Sequence, residues 1–215
     1  MHKGVPALAY EMIRQFSQAG ATIIKFQFGW TKEAQLKFGL EYNPIRFIDP
    51  IAQDLRRWCD LYNVELMASI WSEEGLETAR LVRMSHYKIA HRVWKDDQEL
   101  SQKIIDEGHT CLVSGTPPLP GRCLPLYCVS KYPTYPGEIN MPEHFGYYYG
   151  YSDHSHGIAA PLLAVARGAE YIEKHVCLDK TDLATKDTPF SATPDEFATM
   201  VRIGNEMRHH LEAHD

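Results

Sequence analysis

The chain has 215 residues, 44% of them hydrophobic, and a formal net charge of −6, which is enough for one sizeable domain and too little for two ordinary ones. The acidic balance and the lack of Lys/Arg runs exclude a nucleic-acid or anionic-membrane partner, because both require a basic patch. The cysteines, Cys59, Cys111, Cys123, Cys128 and Cys177, are odd in number and follow no ligand spacing. With no signal peptide and no long apolar span, they read as reduced thiols of a cytoplasmic protein.

Residues 5 to 19 carry Leu8, Met12 and Phe16 at helical spacing, and Gly20 follows as a stop, so a helix opens the chain. Ala21 to Gln27 reads as a strand and residues 28 to 45 as an irregular loop. Asp49 and Pro50 supply an N-cap and first-turn pair for a helix bearing Ile51, Leu55, Trp58 and Tyr62, with Asn63 placed just past its end. Glu65 to Ile70 is the next strand, and Ser72 with Glu73 and Glu74 caps a helix through about Met84. Tyr87 to Ala90 reads as a strand, Asp96 to Glu107 as a helix stopped by Gly108, and Cys111 to Ser114 as a strand.

From Gly115 to Leu124 three prolines and two glycines forbid a helix. A parallel crossover normally takes a dozen residues or more, so this layer should lack its helix. Leu124 to Ser130 is a strand, followed by a proline-broken loop with one helical turn, a strand from Tyr147 to Asp153 and a helix from Ile158 to Arg167. After a Glu170 to Val176 strand, Thr193-Pro194-Asp195-Glu196 opens a last helix with Phe197, Met200, Val201, Met207 and Leu211 inward. Seven strands alternating with helices are the pattern of a parallel α/β domain.

The stretch from Gly150 to Asp187 is where the chemistry gathers. His154 and His175 each close a strand, with one helix between them, so the two strand ends are neighbours. Strand alternation turns Ser152 to the side of His154, and Tyr171 and Glu173 to that of His175. Two imidazoles, a carboxylate and a hydroxyl therefore converge on one rim, where an α/β barrel keeps its chemistry. Neutral imidazoles at strand ends are common ligands for divalent metals, although two hydrogen-bonded histidines at a rim are the plainer alternative. His156 makes a His-x-His pair with His154, a pattern of metal-dependent hydrolases, but it sits at a turn against Gly157 and reads as structural. His209, His210 and His214 read as solvated. Lys25, flanked by Ile23, Ile24 and Phe26 on a buried strand, is costly unless its ammonium meets an anion.

The runs Gly150-Tyr151-Ser152-Asp153-His154-Ser155-His156-Gly157-Ile158-Ala159-Ala160 and Tyr171-Ile172-Glu173-Lys174-His175, with Asp187 to Phe197, resemble the N-acetylneuraminate (sialic acid) synthase family. The resemblance spans nearly the whole chain and is sharpest in its last third. It implies a TIM (β/α)8-type barrel that condenses phosphoenolpyruvate with N-acetylmannosamine or a related amino sugar and releases phosphate. It also implies a divalent metal, Mn2+ or Mg2+, held by His154 and His175. Lys25, Lys88, Ser114 and Ser152 would hold phosphoenolpyruvate, and Gln27, Tyr132 and Asp187 would face the sugar. Glu173 and Asp187 would move protons, and Lys25 would act beside them in catalysis.

Several departures accompany the match. The family's barrel begins with a strand ending in an acidic residue and an Asn-His-Gly-like turn, of which only His2-Lys3-Gly4 is seen here. At 215 residues against ~250 for a typical barrel, the expectation is a barrel lacking its first strand and one helix. The strands carrying Lys25 and His175 would flank the gap, each with an unpaired edge. Where the family has a serine three positions after the second lysine stands His91, followed by Arg92, which would replace the anion contact. Residues 1–215 are read as a single synthase-type domain without the family's C-terminal antifreeze-like domain, through which a partner subunit of a homodimer covers the sugar. A degenerate homologue that binds an anion or a partner without turnover, and a metal hydrolase built on His154 and His156, are the alternative readings.

Overall fold

The computed structural model describes residues 2–41, 48–115, 119–181 and 185–213; His214 lies outside them. The strands are β1 (Ile23–Phe28), β2 (Glu65–Ile70), β3 (His86–Ile89), β4 (Thr110–Ser114), β5 (Cys123–Cys128), β6 (Gly150–Asp153) and β7 (Tyr171–Lys174). They form one parallel sheet in which spatial order follows chain order from β1 to β7. The helices are α1 (Pro6–Gln18), α2 (Lys32–Lys37), α3 (Ala52–Leu61), α4 (Glu73–Leu81), α5 (His91–Asp96), α6 (Gln98–Asp106), α7 (Ala159–Ala166) and α8 (Pro194–Glu212). The result is an open barrel of the (β/α)8 type. Its curl is direct: Lys25 on the first strand lies 3.6 Å from Glu173 on the last. No ladder joins β1 to β7 among the described residues, and the groove between them is lined by Ile24, Phe26, Ile172 and Val176 with Lys25 and Glu173.

Strand alternation sorts the residues into an outer layer under the helices and an inner layer inside the curl. The outer layer of the first four strands is one apolar cluster, with Phe28, Leu66, Ile70, Tyr87, Ile89 and Val113 packed against Ile13, Leu55, Leu76 and Ile104. Inside the curl, Met67, Leu112 and Leu126 make an apolar floor. Polar side chains stand above that floor, at the ends where the strands run out. Two close approaches require glycine: a Cβ on Gly75 would meet the Phe28 carbonyl at 2.5 Å, and one on Gly150 would meet the Tyr171 carbonyl at 2.1 Å.

Several sequence expectations change. Residues 28 to 45 are not wholly irregular: Thr31 caps α2, its hydroxyl accepting from the Ala34 amide. Only six residues with Ala34 and Gln35 buried make this helix, too short for a periodic signal. Asp49 does not cap the following helix, because its carboxylate accepts from the Gly29 amide at 2.8 Å instead, and the helix opens through a 3-10 turn, Asp49–Ile51. The helix expected from Asp96 to Glu107 is α6, opened by Asp97, which leaves helical geometry (φ −139°) and accepts from the Leu100 amide as N-cap; a further short helix, α5, precedes it. Leu211 is not inward but 43% exposed; α8 buries Met200 and Gly204 and sets Phe197 edge-on to Phe16 at 5.5 Å.

The crossover from β4 to β5 has no helix among its described residues, as the prolines predicted, and the one from β5 to β6 has only a 3-10 turn, Pro136–Glu138. There the loop itself covers the sheet: Met141 and Phe145 pack with Tyr151, Ala164 and Ala169. Arg167 fixes it by donating to the Met141 and Pro142 carbonyls at 2.8 and 3.2 Å. No helix among the described residues is long and apolar enough to cross a membrane.

Candidate active site

Glu173 is the centre of the polar layer. Its carboxylate accepts from the Ser152 hydroxyl at 2.6 Å and stands 3.6 Å from the Lys25 ammonium and 4.0 Å from that of Lys88. Burial alone would raise its pKa, but the two lysines and Ser152 outweigh burial and hold it at about 2. Its Oε2 is buried without a hydrogen-bond partner and lies 3.6 Å from the Lys25 ammonium.

Each lysine has a hydroxyl behind it. Lys25 donates to Ser69 at 3.2 Å. Lys88, 1% exposed, donates to Ser114 at 2.7 Å and to the Ile89 carbonyl at 3.1 Å. Burial pushes the Lys88 ammonium down from its usual range and Glu173 opposes that shift. Two cations and one carboxylate in a low-dielectric enclosure leave a surplus positive charge suited to an anion.

The two histidines lie one residue beyond β6 and β7, their ring centres 5.3 Å apart. His154 places Nδ1 2.9 Å from the Val129 carbonyl. A carbonyl only accepts, so Nδ1 carries the proton and Nε2 is left with a bare lone pair. His175 Nδ1 is 3.9 Å from an Asp187 carboxylate oxygen. Burial lowers the pKa of both rings, that of His175 well below the usual value with help from the neighbouring His154. Both are therefore neutral near pH 7, the form that binds metals. No group of three or more His, Cys, Asp or Glu side chains suited to holding an ion is present among the described residues. Two neutral imidazoles are what this rim would offer a divalent cation, whose other positions would fall to water or substrate.

The remaining expected residues surround this core. Tyr132, half exposed, lies over His154 with ring centres 4.0 Å apart. Asp187 is 8% exposed and next to a 3-10 turn, Thr188–Phe190, and Gln27 lines the groove with Lys25. Arg92 donates to the Phe38 carbonyl at 3.3 Å, so its guanidinium is already engaged with the protein, while His91 begins α5. His156 is exposed and its Nδ1 donates to the Pro189 carbonyl at 3.1 Å. Two residues escaped the sequence reading. Ser69 was signalled only by being a hydroxyl in an otherwise apolar strand. Cys128, whose sulfur is 3.9 Å from His154 Nδ1, shared its strand face with two leucines and gave no signal.

Comparison with known proteins bears on the family and the fold. The NeuB family profile matches residues 121–214. Pseudaminic acid synthase of Campylobacter jejuni is 45% identical over 82 residues, 35% of this chain and 24% of that protein. Human N-acetylneuraminate-9-phosphate synthase is 26% identical across 94% of this chain, which spans 66% of the human protein. The crystal structure of N-acetylneuraminic acid (sialic acid) synthetase from Leptospira borgpetersenii superposes with a TM-score of 0.83 at 30% identity, covering 98% of this chain and 81% of that one.

Proposed function

The chain belongs to the NeuB family, that of the sialic acid synthases, and from that premise we propose that it condenses phosphoenolpyruvate with an N-acetylated hexose. The sugar is N-acetylmannosamine or a relative, and the products are a sialic or other nonulosonic acid and phosphate. One observation carries the reading: the Lys25 and Lys88 ammoniums stand on either side of Glu173 at 3.6 and 4.0 Å, backed by Ser69, Ser114 and Ser152. Phosphoenolpyruvate brings a phosphate and a carboxylate, and two fixed cations with hydroxyl donors match that pair of anions.

In this reading Lys25 and Lys88 orient phosphoenolpyruvate while Gln27, Tyr132 and Asp187 face the sugar, and much of the rate comes from holding two substrates together. His154 and His175 hold a divalent cation, Mn2+ or Mg2+, which when bound supplies Lewis-acid polarisation of the sugar aldehyde. The enol C3 attacks the aldehyde carbon, water adds at C2, and phosphate leaves with C–O cleavage. While both lysines face Glu173 its carboxylate, at about 2, is too weak a base to help. An anion drawing on the same two cations relieves that hold, and Glu173 Oε2 then takes the proton of the water adding at C2. Asp187, beside His175, would relay a proton from bulk water to the former aldehyde oxygen, balancing the one that Glu173 takes from the adding water.

The test is phosphate release with Mn2+, phosphoenolpyruvate and a panel of N-acetylhexosamines. Release that depends on the sugar and falls to background in the His154→Ala, His175→Ala variant is the expected result; release no faster than in that variant rejects the reading. Calorimetry distinguishes the second reading, an anion-binding homologue without turnover: it predicts phosphoenolpyruvate binding and no sugar-dependent release. The hydrolase reading is disfavoured because His156 is exposed and lies against Tyr135 and the Pro189 carbonyl, whereas His154 has the His175 ring beside it at 5.3 Å.

A further inference from the structure

Behind the histidines, on the opposite face of the same two strands, lies an ion pair that the reaction does not use. Asp153 and Lys174 are register partners across β6 and β7, each immediately preceding a histidine. Alternation therefore turns them outward as His154 and His175 turn inward. Lys174 Nζ donates to Asp153 Oδ2 at 2.5 Å, and both side chains are 0% exposed. Every polar atom of the pair is engaged. Asp153 Oδ1 accepts from the Tyr151 hydroxyl at 2.8 Å, the Ser155 amide at 2.9 Å and the Ser155 hydroxyl at 2.7 Å. Lys174 also donates to the Ser155 carbonyl at 2.5 Å.

Elsewhere the outer face of the sheet is apolar. A buried ion pair there is hard to justify by stability, since a well-packed apolar pair of similar volume is often as stable or more so. What it supplies is geometry. It ties Cα153 to Cα174, and with them the first atoms of the next residues, while Ser155 is held from both sides of His154 by the same two groups. The backbone of His154 is fixed further where its carbonyl accepts from the Thr134 amide at 2.9 Å. β7 has no named strand on its outer edge among the described residues; there the His175 carbonyl accepts from the Ala192 amide at 2.8 Å, while on the β6 side the ion pair ties the residue before His175 to the residue before His154.

We propose that Asp153 and Lys174 are positioning residues: their buried ion pair sets the separation and orientation of the His154 and His175 rings. This rests on the synthase reading only in so far as those rings are taken to hold a metal. Three variants test it in the full chain. Lys174→Met leaves Asp153 buried and unpaired and is expected to fold poorly. Asp153→Asn with Lys174→Met removes both charges and keeps an amide oxygen for Tyr151 and Ser155. Tyr151→Phe removes one hydrogen bond to Asp153 and no charge.

For each folded variant, the ring 15N resonances of His154 and His175 are recorded without metal, and Mn2+ is titrated by electron paramagnetic resonance without substrates. The double variant should melt close to the parent, shift both histidines' ring resonances and bind Mn2+ about 10- to 100-fold more weakly. Its phosphoenolpyruvate affinity, set by Lys25 and Lys88, should not change. Unshifted ring resonances in the folded double variant overturn the proposal, as does parental Mn2+ affinity. Should the double variant not fold, Tyr151→Phe decides, and resonances of His154 identical to the parent's overturn it. Equal Mn2+ binding by the parent and His154→Ala would refute the metal reading alone; the metal-free resonances would still decide this proposal.

Discussion

The front of the barrel, β1 to β4, and the back, β5 to β7, are built on different principles. The front has α1, α3, α4 and α6 over it and one large apolar cluster between helix and sheet. The back has a single α-helical crossover among its described residues, a smaller apolar cluster, and the Asp153, Lys174, Tyr151 and Ser155 network where the front has only side chains such as Ile70 and Ile89. The site draws on both: its cations come from the front, its carboxylate and imidazoles from the back. Non-directional burial supplies bulk stability, whereas aiming two rings at one point needs directional contacts. The division of labour is physical, and it can be broken from either side.

The largest stability effect should come from the front. Leu66→Ala, at a fully buried position, should cost about 2–5 kcal/mol, read by denaturant or thermal melting. Phosphoenolpyruvate affinity should stay within about twofold of the parent under conditions where the variant is folded, because the cavity lies on the helix side of the sheet and the lysines on the other. A comparable loss of affinity would show that the two layers are coupled.

Lys88→Met should act in the opposite sense. Removing a buried cation that stands 4.0 Å from Glu173 should weaken phosphoenolpyruvate binding about a hundredfold by calorimetry. The fold should be kept, because Lys25 still faces Glu173 and the methionine relieves the cost of burying an ammonium.

The sharpest effect is in acid. Glu173 titrates at about 2 in the folded protein against an ordinary 4.5. Its depressed value means that the folded state holds the proton less tightly than the unfolded chain. The stability it contributes is therefore full above 4.5 and disappears as pH falls through about 2. Glu173→Gln should flatten that part of the stability curve while leaving the curve above pH 5 parallel to the parent's. An unchanged acid slope would mean that the two lysines do not hold this carboxylate.

Elements marked by a repeating pattern are legible in the sequence, and elements decided by a single contact are not. All seven strands and the helices over β1, β2 and β7 follow from periodicity and end signals, since many residues vote together. Two short helices, α2 and α5, escaped because six residues barely exceed one turn and a half and bury too few side chains to mark a face. Asp49 misled because aspartate before proline is a good cap, and only the fold brings the Gly29 amide to it. The inward face of Lys25, Lys88, Ser152 and Glu173 was legible from alternation joined to family likeness. The mutual distances that make Glu173 acidic were not, because they depend on how far the sheet curls. Asp153 and Lys174 stand inside the matched motifs and pair across the same two strand ends, but they point outward, and nothing in the string says that an outward Asp and Lys close a buried ion pair rather than face solvent.

The sheet's order has one more consequence, for how the molecule is made. Because each strand after β1 pairs with the one before it, a chain emerging from the ribosome can add each strand to an edge already built, and no strand has to wait for a distant strand to pair with. Such growth keeps loop-closure distances short and favours fast folding. The lysines are delivered first, on β1 and β3, to a nascent sheet in which Glu173 has not yet been synthesised. For that interval their charges are open to solvent and cost little; they become a liability only when the curl closes, at the moment the carboxylate that balances them arrives on β7.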